Sequence, residues 1–268
     1  MKNARTLMPI GLWPRGTQVD VVWFEKSRLA RAKPHLNLAP EARTATLSLA
    51  PESTLMSRII SEMIKPPKVE PLFISAVLPS SVWERSIVVP QTLSEAECEE
   101  QCRNLLANEL PVPLDKVWFD FHPTPLKQGT LIEMSAVLIE HAQAQTAKFG
   151  STPVRILDSA SHALSRAFEH LMPTLPKDAL HLYADDDYAI AFQQKGYDFN
   201  ILQISEANLT ALFAQYCERF QFTPDSVCFY MKNENAEQIA ELTARGWLHC
   251  QTKLPLIALG LALWHLDF

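Results

Sequence analysis

The stretch SIVVPQTLSEAECEEQCRNLLANELPVPLDKVWFDF, residues 86–121, joins two apolar runs through one polar, acid-rich segment. The apolar runs alternate with the period of strands, and the middle segment repeats with the period of a helix. Ser94 and Glu97 predict a capping box, because each side chain can bond the backbone N–H of the other residue. Pro111 ends the helix, since proline has no N–H to donate. The stretch therefore predicts a strand–helix–strand unit.

Outward from this unit, the whole chain alternates short strands with amphipathic helices. Strands are predicted at 19–24, 28–32, 45–50, 72–78, 82–89, 116–122, 131–139, 153–157, 179–184, 188–194, 197–204 and 227–231. Helices are predicted at 53–64, 94–109, 141–148 and 234–245, after the caps Asp158 and Ser205, and after Pro255, with Ser53 as the cap of the first. A meander that feeds a helix occurs twice, near 19–64 and 179–220, which indicates a mixed α/β fold with two similar halves.

Composition excludes several classes of protein. The formal charge is −6 with no basic run, so direct nucleic-acid binding is disfavoured, because phosphate neutralisation needs a concentrated basic face. Five cysteines without a CxxC pair favour core packing over a disulfide framework or a metal site. Prolines interrupt the N-terminal apolar stretch, and the C-terminal one is shorter than the ~20 residues that span a bilayer. We therefore expect a protein of a reducing cytosol.

Residues 82–121 resemble the family of PilM, the actin-like type IV pilus assembly protein. That family has an arginine-bearing strand, a proline, an acid-rich helix, a proline kink and a strand that ends in aspartate. The matching residues here are Arg85, Pro90, Glu97, Pro111, Pro113 and Asp120. Residues 135–168 resemble the next segment of the family, with Asp158 before an Ala-Leu-x-Arg-Ala helix, and 258–263 is also similar. The short length and weak glycine motifs are most similar to the competence branch of the family, the ComA-like and HofM-like proteins.

The resemblance implies an α/β, actin-like (ribonuclease H-like) duplicated fold with an inserted subdomain of the PilM/FtsA type. It implies a first half at 1–77 and 151–178, the inserted subdomain at 78–150, and a reduced second half at 179–268. It also implies a cytoplasmic protein, peripheral to the inner membrane.

The implied partner is a bitopic, PilN-like inner-membrane protein, bound through its N-terminal cytoplasmic tail, alongside other proteins of the assembly platform. Arg85, Glu97 and Asp120 are the candidate partner-binding residues on this resemblance, and the acidic helix 94–109 is a candidate surface for basic residues near a membrane anchor. Direct nucleic-acid contact is not expected, although the apparatus drives DNA uptake in competent bacteria.

The glycine loops that hold ATP in actin-like proteins are poorly matched. Glycine permits close approach of the backbone to phosphates because it lacks a Cβ. At the first loop, Trp13 and Pro14 stand where the family has Asp and Gly, and at the third, Lys232 and Asn233 replace a Gly-Gly pair. Only seven glycines occur, and none lies in the second or third loop. We therefore expect no enzymatic activity, no catalytic residue and no cofactor, with ATP and Mg²⁺ considered only under an alternative.

The second loop, LYADDDYAIAF (182–192), contains the aspartate run Asp185, Asp186 and Asp187. Such a run can bind a metal, help to hold a phosphate, or turn a hairpin. Without glycines beside it, three carboxylates repel phosphates, so we interpret the run as a solvated hairpin turn at a relic phosphate loop. His141, His162 and Asp158 are explained as surface or satisfied histidines and a helix cap, and no metal site is predicted.

The hypothesis is therefore a non-catalytic adaptor of a pilus or competence platform. One alternative is a nucleotide-binding actin-like ATPase of the same machinery. A second is the cytoplasmic domain of a type II secretion L-like protein, although such proteins continue into a transmembrane helix and this sequence ends at Phe268. A third is an unrelated structural α/β domain.

Overall fold

The structure is a computed structural model, and it describes residues 7–25, 41–49, 55–63 and 70–264. The predicted strand at 28–32 and the predicted cap Ser53 lie outside these residues. Short 3₁₀ turns precede β5 and β6. In chain order the elements are β1 (Leu7–Arg15), β2 (Gln18–Glu25), β3 (Glu41–Ser48), α1 (Leu55–Glu62), β4 (Glu70–Val77), β5 (Val82–Val89), α2 (Glu95–Glu109), β6 (Val117–Leu126), β7 (Gly129–Leu138), α3 (Ile139–Ala147), β8 (Val154–Ser159), α4 (Ala160–Leu171), β9 (Leu180–Ala184), β10 (Ala189–Lys195), β11 (Asp198–Ile204), α5 (Leu209–Phe220), β12 (Val227–Met231), α6 (Ala236–Ala244), β13 (Leu248–His249) and α7 (Leu256–Ala262).

The chain divides into two compact units. Unit 1 contains 1–77, 145–175 and 250–268, and unit 2 contains 78–144 and 176–249. The predicted domain boundaries stay a prediction, and the C-terminal helix α7 contacts β1 and α4 of unit 1. In the part of the chain that the structure describes, no helix is both long and apolar enough to cross a bilayer.

Unit 1 is a five-stranded sheet covered by helices on both faces. Its strand order is β3-β2-β1-β4-β8, with antiparallel pairs between β1, β2 and β3 and parallel pairs between β1, β4 and β8. Ile10 and Leu12 of β1 pack in one core with Ile59 of α1. The intervening Gly11 faces α7 on the opposite side, because side chains alternate along a strand.

Close backbone packing holds α7 against the sheet and against α4. A Cβ on Gly11 would lie 1.9 Å from the carbonyl oxygen of Ala258, and a Cβ on Gly260 would lie 1.6 Å from that of Ala163. Only glycine allows these approaches, since any Cβ would overlap the neighbouring backbone. Arg166 of α4 also donates from Nε to the carbonyl oxygen of Gly260 at 2.9 Å.

Unit 2 contains a three-stranded antiparallel sheet in the order β5-β7-β6. Helix α2 covers one face, where Cys98 and Cys102 are buried against Ile132 and Met134 of β7. The predicted capping box is confirmed: the Ser94 N–H donates to Glu97 Oε2 at 2.7 Å, and the Glu97 N–H donates to Ser94 Oγ at 3.4 Å. The strand–helix–strand prediction for this region is also confirmed.

Unit 2 also contains a five-stranded sheet in the order β11-β10-β9-β12-β13. Strands β9 and β12 run parallel in its centre, and β9, β10 and β11 form the predicted meander. Helices α5 and α6 cover one face, with Leu212 and Tyr216 of α5 and Leu242 of α6 in the shared core.

Three local predictions are wrong. Trp13 and Pro14, assigned to the position of the first phosphate loop, lie in strand β1, which was not predicted. Asp158 is the penultimate residue of β8 and does not cap α4, because Ser159 holds the cap position and the Asp158 carboxylate pairs with Arg166. Helix α5 begins after Asn208, whose Oδ1 accepts from the N–H of Ala211 at 2.9 Å, and not after Ser205.

Candidate functional site

The aspartate run turns the chain between β9 and β10. Ala184 and Ala189 are the last paired residues of the hairpin, and the Asp185 N–H donates to the carbonyl oxygen of Tyr188 at 3.0 Å. The predicted hairpin turn is therefore present. Asp186 and Asp187 are exposed, as expected for a turn.

Asp185 departs from the predicted solvated turn, because its side chain is buried and fully bonded. Only 6% of Asp185 is exposed. Its Oδ2 accepts from the hydroxyls of Tyr183 at 2.7 Å and Tyr188 at 2.9 Å. Its Oδ1 accepts from the Asp186 N–H at 2.8 Å and from Lys232 Nζ at 2.5 Å. A buried carboxylate is tolerated when hydrogen bonds and a cation replace its water, and here both are supplied by the chain itself.

Lys232 links the two loops that follow the carboxyl ends of the central strands β9 and β12. Strands β9 and β12 are parallel neighbours, with Ala184 opposite Met231, so the residues after the two strands lie side by side. The Lys232 N–H accordingly donates to the carbonyl oxygen of Ala184 at 3.0 Å. Its ammonium pairs with both Asp185 and Asp186. The Lys232 side chain is only 15% exposed, so its ammonium is largely buried. Together with Tyr183, Asp185, Asp186 and Tyr188 it forms what we call the Lys232 cluster.

The tyrosine hydroxyls of the cluster remain protonated at neutral pH. Burial raises the pKa of Tyr183 well above its ordinary value, and the neighbouring Tyr188 and Asp185 add to that shift. Burial, followed by the charge of Asp185, also raises the pKa of Tyr188. Both hydroxyls therefore act as hydrogen-bond donors to Asp185. Tyr183 also stacks on Tyr230 of β12, with ring centroids 5.6 Å apart.

The arrangement is poorly suited to bind Mg²⁺ and a phosphate. Asp185 and Asp186 share the Lys232 ammonium, and Asn233 Nδ2 donates to Asp186 Oδ1 at 3.0 Å. Within the ranges that the structure describes, no group of three or more His, Cys, Asp or Glu side chains is arranged to hold a metal ion. The cluster does not fit a nucleotide–metal group without displacement of Lys232.

The three predicted partner-binding residues do not form one site. Arg85 lies on the α2 side of its sheet, with its Nη2 3.8 Å from Glu109 Oε1, because it shares one face of β5 with Trp83 and Ile87, which pack under α2. Asp120 lies on the opposite face, and its Oδ1 accepts from the Phe121 N–H at 2.9 Å. The Glu97 carboxylate is engaged in the cap, where hydrogen bonds from the Ser94 side chain and backbone lower its pKa. Partner binding by these residues stays a prediction.

An apolar groove of about 240 Å³ lies at one end of the three-stranded sheet. The start of β5, the connection between α2 and β6, the end of β7 and the first turn of α3 form its walls. The lining residues are Ser80, Ser81, Val82, Trp83, Leu110, Pro111, Val112, Val117, Ala136, Val137, Leu138 and His141. Sequence reasoning missed this groove, because its walls come from four separate segments and only their packing places them together. His141 was assigned to the surface, and the structure places it exposed at the rim.

Comparison with known proteins finds a family model and solved structures that are similar to this chain. A family model described as type IV pilus assembly protein PilM matches residues 53–211, which is more than half of the chain. No curated protein sequence matches the chain.

Two solved structures are similar over nearly their full lengths. One is a PilM–PilN type IV pilus biogenesis complex, with 16% identity, a TM-score of 0.63, and coverage of 97% of this chain and 98% of that chain. The other is the cytoplasmic domain of EpsL, an inner-membrane component of the type II secretion system of Vibrio cholerae, with 11% identity, a TM-score of 0.56, and coverage of 98% and 96%. At these identities the likeness concerns the fold, and it confirms the predicted actin-like α/β fold.

Proposed function

The chain belongs to the type IV pilus assembly protein PilM family, and from that premise we propose that it is a non-catalytic, cytoplasmic adaptor of a pilus or competence platform. Its work is recognition: it binds the N-terminal cytoplasmic tail of a PilN-like inner-membrane protein and so lies at the membrane without crossing it. The similarity to a structure described as a PilM–PilN complex supports this choice of partner.

The groove is the observation that carries the proposal. Its walls are mostly aliphatic and aromatic, and it is small for a cofactor pocket, since such pockets usually exceed about 300 Å³. It suits one or two apolar side chains of an extended peptide. Strand β5 begins at the rim and is an edge strand, so its main chain can pair with such a peptide while the groove selects the side chains.

The acidic helix α2 supports recognition of a positively charged tail. Glu95 and Glu100 are exposed on it, and Glu99 forms an i,i+4 ion pair with Arg103. Surface charges of this kind increase the rate of encounter more than the final affinity, and salt screens them.

The Lys232 cluster supports a function that does not depend on nucleotide hydrolysis. In place of a glycine loop open to phosphate, the chain has two aspartates that share one internal ammonium. A triphosphate would have to displace Lys232 and would meet carboxylates in its place. ATP binding and hydrolysis remain the alternative function.

The decisive experiment is calorimetry of the full chain with a synthetic peptide of the N-terminal tail of the PilN-like protein from the same organism. We expect binding of micromolar affinity or tighter, and no heat from Mg-ATP with or without the peptide. Absence of tail binding would remove the adaptor proposal, and micromolar Mg-ATP binding would favour the ATPase. Stronger binding to the membrane partner of an L-like secretion protein would favour the secretion alternative.

A groove variant tests the location of the tail. Ser81→Trp places a large ring in the groove from a polar wall position, and we expect about a tenfold or greater loss of tail affinity. Ser205→Trp makes the same change at an exposed position elsewhere in unit 2 and should bind the tail normally. Equal affinity of the two variants would show that the tail binds outside the groove.

A further inference from the structure

The two edges of the three-stranded sheet differ in what they offer to a further strand. Within the described residues, β5 and β6 each pair only with β7, so both are edge strands. An antiparallel edge strand directs the N–H and C=O groups of every second residue outward. Such groups can pair with another chain, and folded proteins commonly block them with proline or other local devices.

The edge of β6 is blocked by its own residues. Pro123 and Pro125 have no N–H, and a proline in an edge strand stands where the missing N–H would point away from the neighbouring strand. The odd-numbered residues of β6 are therefore the outward ones. The N–H of Phe121, the preceding outward residue, is already bonded to Asp120 Oδ1 at 2.9 Å. Three successive outward positions of β6 thus lack a free donor.

The strand register then fixes which groups β5 directs outward. Ile132 of β7 lies opposite Pro123 in a pair without hydrogen bonds, so it bonds to the strand on its other side, where Ile87 is opposite. Because bonded and non-bonded pairs alternate, the odd-numbered residues of β5 bond β7. The residues whose N–H groups point to the outer edge of β5 are Glu84, Ser86 and Val88.

The edge of β5 is not blocked in this way. Its sequence, VWERSIVV, contains no proline. Outside the ladder with β7, no hydrogen bond to the N–H of Glu84, Ser86 or Val88 is present in the residues that the structure describes. Arg85 is exposed, and Val88 is 49% exposed. Pairing can begin just after Val82, whose own N–H donates to the carbonyl oxygen of the preceding 3₁₀ turn.

The groove and the charge of the chain select the occupant of this edge. Val82 and Trp83 line the groove, so the groove lies where the β5 edge begins. At ~3.4 Å per residue, the strand from Val82 to Val88 is about 20 Å long and can pair with about six residues of an extended peptide. A second copy of this chain, paired edge to edge, would bring two α2 helices together on one face of the sheet. Each α2 contains five glutamates and one arginine, so the two helices would repel each other.

We propose that the tail of the PilN-like protein adds to β5 as a fourth strand, and that the β6 edge takes no part in binding. This inference rests on the proposed function and deepens it, because it gives the binding mode and the class of segment that fits. That segment is extended over about six residues, has apolar side chains for the groove, and has no proline at the alternate positions whose N–H groups face β5.

A scan of the tail peptide tests the binding mode. The probes are versions of the tail in which one backbone amide at a time carries an N-methyl group, which removes the donor and leaves the side chain unchanged. We expect about a tenfold loss of affinity at every second residue of the paired segment, and a change within about twofold at the residues between them. Losses without a period of two would contradict the inference.

A variant of β5 tests the location. Ser86→Pro removes one outward N–H and leaves the ladder with β7 intact, as Pro123 and Pro125 do in β6. We expect it to bind the tail about tenfold more weakly, whereas the matched control Ser86→Ala keeps the N–H and should bind normally. Thermal melting of both variants checks that they are folded. Equal affinity of the folded variants would show that the tail does not pair with β5.

Hydrogen exchange of the unmodified chain gives a reading that needs no variant. On addition of the tail, exchange at the amides of Ser86 and Val88 should slow, while exchange at Phe121, on the blocked edge, should not change. If the tail binds and these β5 amides exchange as before, the inference is wrong while the groove proposal stands. If the unmodified tail does not bind at all, the proposed function itself fails.

Discussion

Lys232 is the residue whose chemistry most changes the interpretation of the aspartate run. Its ammonium pairs with Asp185, and that carboxylate is buried beside two protonated tyrosines. An ion pair of this kind has little net effect on stability when intact, because desolvation of both charges offsets their attraction. Removal of one partner is different, since it leaves the other charge buried alone.

Lys232→Met should therefore destabilise unit 2. We expect a loss of about 3 kcal/mol in the free energy of unfolding, at the lower end for a broken buried pair because the tyrosine hydroxyls still bond Asp185. Denaturant unfolding gives the value. Lys253→Met, at an exposed lysine, should change it by less than about 0.5 kcal/mol. Addition of Asp185→Asn to Lys232→Met should recover part of the loss, and a Lys232→Met protein as stable as the unmodified chain would show that the pair has no structural role.

At the scale of elements, α2 is the helix whose ends are most completely specified by local sequence. Its capping box satisfies N–H groups that a helix leaves unpaired at its start, and Pro111 prevents its extension beyond Leu110. Glu97 contributes as a carboxylate, since its hydrogen bonds to Ser94 lower its pKa from 4.5. That contribution is present above about pH 4.5 and is lost as the pH falls through the lower pKa of the folded state.

Ser94→Ala should lower the free energy of unfolding by about 1 kcal/mol at neutral pH, because it removes the cap of α2. The difference from the unmodified chain should shrink in acid, where Glu97 becomes protonated in both proteins. Urea denaturation at neutral pH and below pH 4 measures it. Ser205→Ala, at the position wrongly predicted to cap α5, should have no comparable effect. A constant difference at all pH values would show that Glu97 takes no part in the cap.

At the scale of the whole molecule, the packing of α7 decides where the C-terminal segment belongs. This helix follows unit 2 in the chain, yet its contacts are with β1 and α4 in unit 1. Two of the seven glycines serve this packing, Gly11 and Gly260.

Gly260→Ala should destabilise unit 1 by roughly 1–3 kcal/mol or more, the range for an overpacked core. The added methyl group meets the backbone of Ala163, which cannot rotate away as a side chain would. Hydrogen exchange should report faster exchange in α4 and α7, with α5 unaffected. Exchange rates in α7 equal to those of the unmodified chain would contradict the close packing described here.

The membership in the PilM family and the order of most elements followed from the sequence. Capping residues, prolines and apolar periodicity act over a few residues, so the helix ends that they specify can be predicted without knowledge of the fold, as at Ser94 and Pro111. The strand β1 was missed because Pro14 suggested a break, whereas a strand end tolerates proline. The cap of α4 was misassigned because Asp158 is a good cap by type, and only the position of Arg166 shows what its carboxylate bonds.

Only part of the candidate site could be predicted from the sequence. The turn at Asp185–Asp187 followed from residue type, since aspartate favours turns by bonding its own backbone. The burial of Asp185, its pairing with Lys232 at a separation of 47 residues, and the groove depend on segments that are distant in sequence and are brought together by strand register and packing. Sequence determines local conformation because its causes are local. Tertiary structure alone decides which charges are neutralised and which surfaces stay open, because those depend on long-range neighbours and on the exclusion of water.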